Sequence, residues 1–195
     1  MNDRKYQQAK EKLLETLFTP RINKVLPEAD NNESLMEHIP DLLNKQKCGL
    51  YLCGPSGTGK TIQAAQILIE VHMRSLKQNL PFYDFRFVSV PQLLQNIKAT
   101  FNGDNNDESV IVKDLSEADF LILDDLGVEK STEWVMQILY LILNYRYEYL
   151  KTTIITSNYS INDLIDKFGS DRIPSRIAGM CEVIRFDKKD FRIRK

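Results

Sequence analysis

The stretch Gly49–Thr61, GLYLCGPSGTGKT, decides how the rest of the chain is read. GLYLC carries no charge and reads as a short buried strand. GPSGTGKT fits G-x-x-x-x-G-K-[ST], and KTIQAAQILIEVHMRSLKQ reads as a long helix. In such a strand–loop–helix unit the glycines let backbone N–H groups turn inward around a polyphosphate. The helix N-terminus adds its positive end. Gly54, Pro55, Ser56, Gly57, Thr58 and Gly59 form the cradle. Lys60 would reach the β- and γ-phosphates, and the Thr61 hydroxyl would hold Mg2+. The ligand that fits is a nucleotide carrying β- and γ-phosphates.

Working outward, FRFVSV, FLILDD, TTIITSN and CEVIRF read as further strands, with PQLLQNIKATF, TEWVMQILYLILNYRYEYL and INDLIDKF as helices and NGDNND as a loop. Strands without polar alternation are buried on both faces, as in a parallel α/β sheet. In the TEW helix, Trp134, Ile138, Leu141, Ile142 and Tyr145 form one apolar stripe. Upstream of Gly49, Tyr6, Ala9, Leu13, Leu14, Leu17 and Phe18 recur at helical spacing. Pro20 and Pro27 bracket an irregular passage, and EADNNES reads as a linker. SLME has the form of a capping box with Ser34 as N-cap, unless the helix begins near Pro40. The expected division is a helical extension and linker over 1–46 and a nucleotide-binding domain over 47–195.

The strand FLILDDLG supplies the second half of a triphosphate site. Its four apolar residues bury it, so Asp124 and Asp125 emerge together at its C-terminal edge, where open α/β sheets bind ligands. Asp124 suits Mg2+, through water, and Asp125 suits the orientation of a hydrolytic water. Asn158 ends the strand TTIITSN with an amide that can meet a γ-phosphate or the attacking water, although Asn at a strand end also serves as a turn former. In DRIPSR, Arg172 and Arg176 project from one helical face. They face either a local carboxylate, Asp171 or Glu182, or a phosphate.

At 195 residues the chain can bury one sizeable core, and its formal net charge of −1 announces neither nucleic acid nor a membrane surface. Lys98, Lys113, Arg185 and the basic tail Lys188, Lys189, Arg192, Arg194 and Lys195 are candidates for phosphate contacts with DNA, or simply solvated. The cysteines Cys48, Cys53 and Cys181 have no framework spacing, and His38 and His72 lie far apart. No apolar run reaches spanning length and the first residues lack the apolar core of a signal peptide, so a cytoplasmic protein is expected, with no membrane partner.

Taken in order, GLYLCGPSGTGKT, ADFLILDDLGVEKSTEW, LYLILNYRY, TTIITSN and RIPSRI resemble the AAA+ ATPases. More narrowly they resemble the DnaC/DnaI-type helicase loaders and the IstB-type transposition ATPases, from about Gly49 to Arg192. The resemblance implies an AAA+ P-loop NTPase with helices on both faces of a parallel sheet, a short helical extension and no C-terminal lid domain. It implies ATP and Mg2+ as ligands, with Lys60, Thr61, Asp124, Asp125 and Asn158 in catalysis. Arg176 would be an arginine finger reaching the ATP of a neighbouring copy, Arg172 its support and Arg192 a second sensor. Partners implied are a homo-oligomer through the ATP interfaces, single-stranded DNA and a replicative helicase, contacted through Tyr6–Phe18 unless that helix packs on the core. The IstB-like alternative is an ATPase that regulates a transposase on duplex DNA. A small-molecule phosphotransferase fits less well, for want of an Arg-rich lid, and a binding module with little turnover would not need the full catalytic set.

Overall fold

The computed structural model describes residues 3–29, 32–44, 49–81, 83–99 and 106–187. The elements, in chain order, are α1 (Asp3–Leu17), α2 (Pro20–Val25), α3 (Glu33–Met36), α4 (Ile39–Leu43), β1 (Gly49–Cys53), α5 (Lys60–Lys77), β2 (Phe85–Ser89), α6 (Val90–Ala99), α7 (Asn106–Glu117), β3 (Phe120–Leu126), α8 (Glu133–Glu148), β4 (Thr152–Ser157), α9 (Ile161–Phe168), α10 (Arg172–Met180) and β5 (Glu182–Arg185). A 3-10 turn, Leu26–Glu28, follows α2. All strand pairs are parallel, in the order β2-β3-β4-β1-β5.

Alternation along the strands builds two cores. Leu50, Leu52, Ile122 and Ile154 face α5 and the N-terminal helices, whereas Tyr51, Cys53, Leu121, Leu123 and Ile155 face α6 to α10. The central strands β1, β3 and β4 are buried along almost their whole length, as expected of a parallel sheet. The outer strands β2 and β5 are only half covered, because each pairs on one side alone. Among the described residues no helix is long and apolar enough to cross a membrane.

Several local expectations are corrected. Pro20 opens a helix rather than an irregular passage: Thr19 caps α2, with proline in its first turn, where the missing N–H costs nothing. Ser34 is not an N-cap; α3 starts one residue after Asn32, and the Ser34 hydroxyl donates to the Asn32 side chain at 3.0 Å. Proline sits in the first turn of α4, as the alternative start near Pro40 required. A capping box does form further on, between Ser160 and Asp163 at the head of α9. Helix α7 was not expected, and it begins at Asn106 and Asp107, inside the run NGDNND read as a loop; its charged sequence shows little apolar periodicity, and packing against α8 is what covers it. On α8 the buried face is Val135, Ile138, Leu139, Ile142, Leu143 and Arg146, with Leu141 46% exposed. The stripe is rotated because α8 packs against both α7 and α10 and shares one core with the β3 and β4 side chains Leu121, Leu123 and Ile155. Leu13 and Phe18 are buried on the α5 side, and Phe18 meets the Phe87 ring edge-on at 5.2 Å, so this part of the extension packs on the core.

Candidate nucleotide site

Strand order places the site. β1 lies beside β4, and β4 beside β3, with Cys53 level with Ser157 and Leu126 level with Ser157. The C-terminal ends of these three strands therefore bring the loop Gly54–Gly59, the pair Asp124–Asp125 and Asn158 to one edge of the sheet. Gly54 N–H donates to Ser157 O at 3.2 Å, which ties the start of the loop to β4. A side chain at Gly54 would place its Cβ 2.1 Å from Phe186 O, so only glycine fits there. Gly59 caps α5 at φ 91, a left-handed conformation that glycine adopts at no steric cost.

Lys60 is 5% exposed, and its Nζ donates to Gly54 O at 2.8 Å, Pro55 O at 2.7 Å and Asn158 Oδ1 at 3.0 Å. The ammonium thus lies folded over its own loop and is already joined to the strand-end amide. Thr58 Oγ1 donates to Pro55 O at 2.9 Å, which tightens the same turn. Thr61 Oγ1 donates to Asp124 Oδ1 at 2.7 Å. Asp124 is buried, which pushes its carboxyl above the usual range, while hydrogen bonds from Thr156 and Thr61 and the nearby Lys60 charge oppose that shift. Asp125 is half-buried and adopts φ 60. The donor set fits a hard divalent cation beside phosphate, since the Thr61 hydroxyl and the Asp124 carboxylate are adjacent oxygen ligands.

Arg172 and Arg176 lie on α10, away from this cluster in the chain, with Arg172 exposed and Arg176 half-buried. Arg176 Nε donates to Asn144 Oδ1 at 3.0 Å, and its Nη2 donates to the Tyr140 hydroxyl at 3.2 Å. The guanidinium also lies over the Tyr140 ring, 5.2 Å from its centre. Among the described residues no carboxylate pairs with Arg176, so the local ion pair with Asp171 or Glu182 does not form; Glu182 instead meets His38 at 3.5 Å. Arg192, the basic tail from Lys188 and Cys48 lie outside the described residues. Cys53 and Cys181 are buried core residues. Lys98 Nζ stands over the Trp134 ring at 5.2 Å, while Lys113 is exposed on α7 and Arg185 on the outer strand β5.

Four residues escaped the reading of the sequence. Thr156 bonds both acids at the strand end, Asn144 and Tyr140 seat Arg176, and Glu129 is buried in the turn after Asp125. A polar residue inside an apolar run was the available signal for Thr156 and Asn144.

The arrangement is an AAA+ P-loop fold, and known proteins share it. The crystal structure titled as the DnaC helicase loader superposes with a TM-score of 0.68 at 26% identity, over 87% of this chain and 100% of that one. The replicative helicase loader DnaI of Bacillus subtilis (strain 168) is 26% identical over 176 residues, 82% of this chain and 54% of that protein. The replicative helicase loader DnaC of Escherichia coli (strain K12) is 25% identical over 124 residues, 64% of this chain and 47% of that protein. This chain therefore spans about half the length of the curated relatives it matches. A family model described as IstB-like ATP binding protein matches residues 39–195, from α4 through the phosphate loop, both acids and α10. By that match the chain belongs to the IstB-like ATP-binding proteins.

Proposed function

We propose that this chain is a replicative helicase loader of the DnaC/DnaI type, an ATPase whose copies assemble through their ATP sites. ATP-bound copies grip single-stranded DNA and the helicase, then hydrolyse and release. The observation that carries the reading is the division of the hydrolytic groups. Lys60, Thr61, Asp124, Asp125 and Asn158 converge on one sheet edge. The hydrogen bonds of Arg176 go instead to α8 and α10, and no carboxylate of the described chain neutralises it. A cation held ready on a neighbouring face suits a finger supplied to another copy.

In this mechanism the Lys60 ammonium leaves the carbonyls of Gly54 and Pro55 for the phosphates, and Asn158 stays within reach of the γ-phosphate. Thr61 and Asp124 would hold Mg2+, whose charge offsets that of the phosphate oxygens. Asp125 orients the attacking water. Arg176 from the next copy, with Arg172 beside it, stabilises the charge of the transition state. A finger in trans is worth about 10³–10⁵ in rate, so an isolated copy turns over slowly and assembly switches it on. Arg192 is proposed as a second sensor, and residues 1–46 as a helical extension to the ATPase domain 47–195.

Size-exclusion chromatography with the host's replicative helicase and single-stranded DNA, with and without a slowly hydrolysed ATP analogue, tests the proposal. A nucleotide-dependent complex containing the helicase, lost in Arg176→Ala, is the expected result. The family description favours one other reading, an IstB-like partner of a transposase. Nucleotide-dependent self-assembly on duplex DNA that ignores the helicase would establish that reading in place of loading.

A further inference from the structure

At the end of β3 the ladder with β4 skips a residue. Leu123 lies opposite Ile155 and Leu126 opposite Ser157, so Asp124 and Asp125 together face the single residue Thr156. Such a bulge displaces one backbone group from the ladder; bulges are rare between parallel strands and concentrate beside active sites, where they re-aim side chains. Asp125 also holds φ 60, which a non-glycine residue keeps only where its surroundings enforce it.

The fully buried Thr156 hydroxyl is used twice. It accepts the Asp125 N–H at 2.9 Å and donates to Asp124 Oδ1 at 2.6 Å. One proton and two lone pairs allow both bonds at once. Ser157 repeats the device one residue on, donating to Leu126 O at 2.7 Å and accepting the Tyr159 N–H at 3.1 Å. Thr61 is the other hydroxyl on Asp124 Oδ1, but it belongs to the phosphate-binding helix and is needed by the cation. Thr156 belongs to the sheet and has no such second duty.

We infer that Thr156 is a positioning residue for hydrolysis, whose hydroxyl holds the bulge and so sets the metal-side and water-side carboxylates relative to each other. This rests on the roles proposed above for Asp124 and Asp125. It assigns the strand-end threonine a task distinct from that of Asn158: Asn158 would meet the phosphate, whereas Thr156 acts through the two acids.

The test compares Thr156→Val, which keeps the shape and removes the hydroxyl, with Thr156→Ser, which keeps the hydroxyl. Amide hydrogen exchange at Asp125 is read in the nucleotide-free protein. Binding of a fluorescent ATP analogue is read with and without Mg2+, and turnover is read as kcat and KM. In Thr156→Val the Asp125 amide should exchange about 10-fold faster or more, and Thr156→Ser should restore its protection. Analogue binding without Mg2+ should hold within about twofold, while the gain on adding Mg2+ shrinks and kcat falls about 10- to 100-fold. Unchanged exchange at Asp125 overturns the proposal. So does faster exchange with Mg2+-dependent binding and kcat both intact, since the hydroxyl would then serve the strand alone. If the valine variant does not fold, Thr156→Ser against Thr156→Ala isolates the same hydroxyl. Should the unaltered protein bind no nucleotide, the proposed site fails, and the exchange arm still decides whether Thr156 holds the bulge.

Discussion

Glu129 carries a buried carboxylate just beyond the two acids, with its oxygens accepting the Gly127 N–H at 3.1 and 3.0 Å. Burial pushes its carboxyl above the ordinary value of 4.5, against the pull of those hydrogen bonds and of Lys167. A carboxyl raised in this way binds its proton more tightly in the folded chain than in the unfolded one. Its contribution to stability is therefore complete below pH 4.5 and is lost as pH rises through the higher folded value. Glu129→Gln keeps a carbonyl acceptor for Gly127 and removes the titration. Thermal midpoints of the two proteins between about pH 4 and 7 should diverge, with the unaltered chain losing ground to the glutamine variant as pH rises. Parallel curves would show that Glu129 titrates as it does when unfolded.

At the scale of elements, one side chain ties α7, α8 and β4 together. Arg146 projects from the last turns of α8 with no exposed surface. Its Nη1 donates to the carbonyls of Leu115, Ser116 and Ala118 at 2.8, 3.2 and 2.8 Å, Nη2 to Thr152 O at 2.6 Å, and Nε to Thr153 Oγ1 at 2.8 Å. The carbonyls of Leu115 and Ser116 belong to the end of α7, where a helix leaves acceptors unpaired and a cation is favoured. Burial pushes the guanidinium down to about 9, which leaves it charged at neutral pH. Arg146→Leu removes every donor from these buried acceptors and should cost about 3 kcal/mol or more. Urea denaturation should show the loss as a lower midpoint at unchanged slope. Lysine should recover little, because it lacks the planar fork that reaches both the end of α7 and the start of β4. A shift equivalent to less than about 1 kcal/mol would mean that water reaches these carbonyls when arginine is gone.

For the whole molecule the question is whether the site is completed by a second copy. Lys60→Ala disables a copy's own phosphate loop but leaves its Arg176, while Arg176→Ala does the reverse. Each variant alone should show only slow hydrolysis. In an equal mixture, an Arg176→Ala copy can hold ATP beside a Lys60→Ala copy that lends its arginine. Random assembly through a head-to-tail interface should then restore about a quarter of the unaltered rate. A mixture no more active than its two components would sink the trans finger while leaving ATP binding untouched. In the proposed head-to-tail arrangement Asn144 and Tyr140, which hydrogen-bond Arg176, would set where the guanidinium is offered to the next copy.

The sequence by itself determined the pieces whose physics is local. A phosphate loop is a continuous run in which glycine, lysine and threonine act at short spacing. The acids follow directly from an apolar strand, and parallel strands announce themselves by unbroken apolar character. The sheet, the loop Gly54–Gly59, and the convergence of Lys60, Thr61, Asp124 and Asn158 were legible for that reason. Only the tertiary structure decided the rest, because it depends on neighbours distant in the chain. Thr156 meets Asp125 across 31 residues, Arg176 meets Asn144 across 32, and Arg146 meets Leu115 across 31. Periodicity cannot show that an arginine will be fully buried, nor that two acids will share one opposing residue through a bulge. It cannot choose which face of an apolar helix such as α8 turns inward when several faces would suit. Those choices are made by packing and by buried polar groups finding partners, and both are properties of the assembled chain.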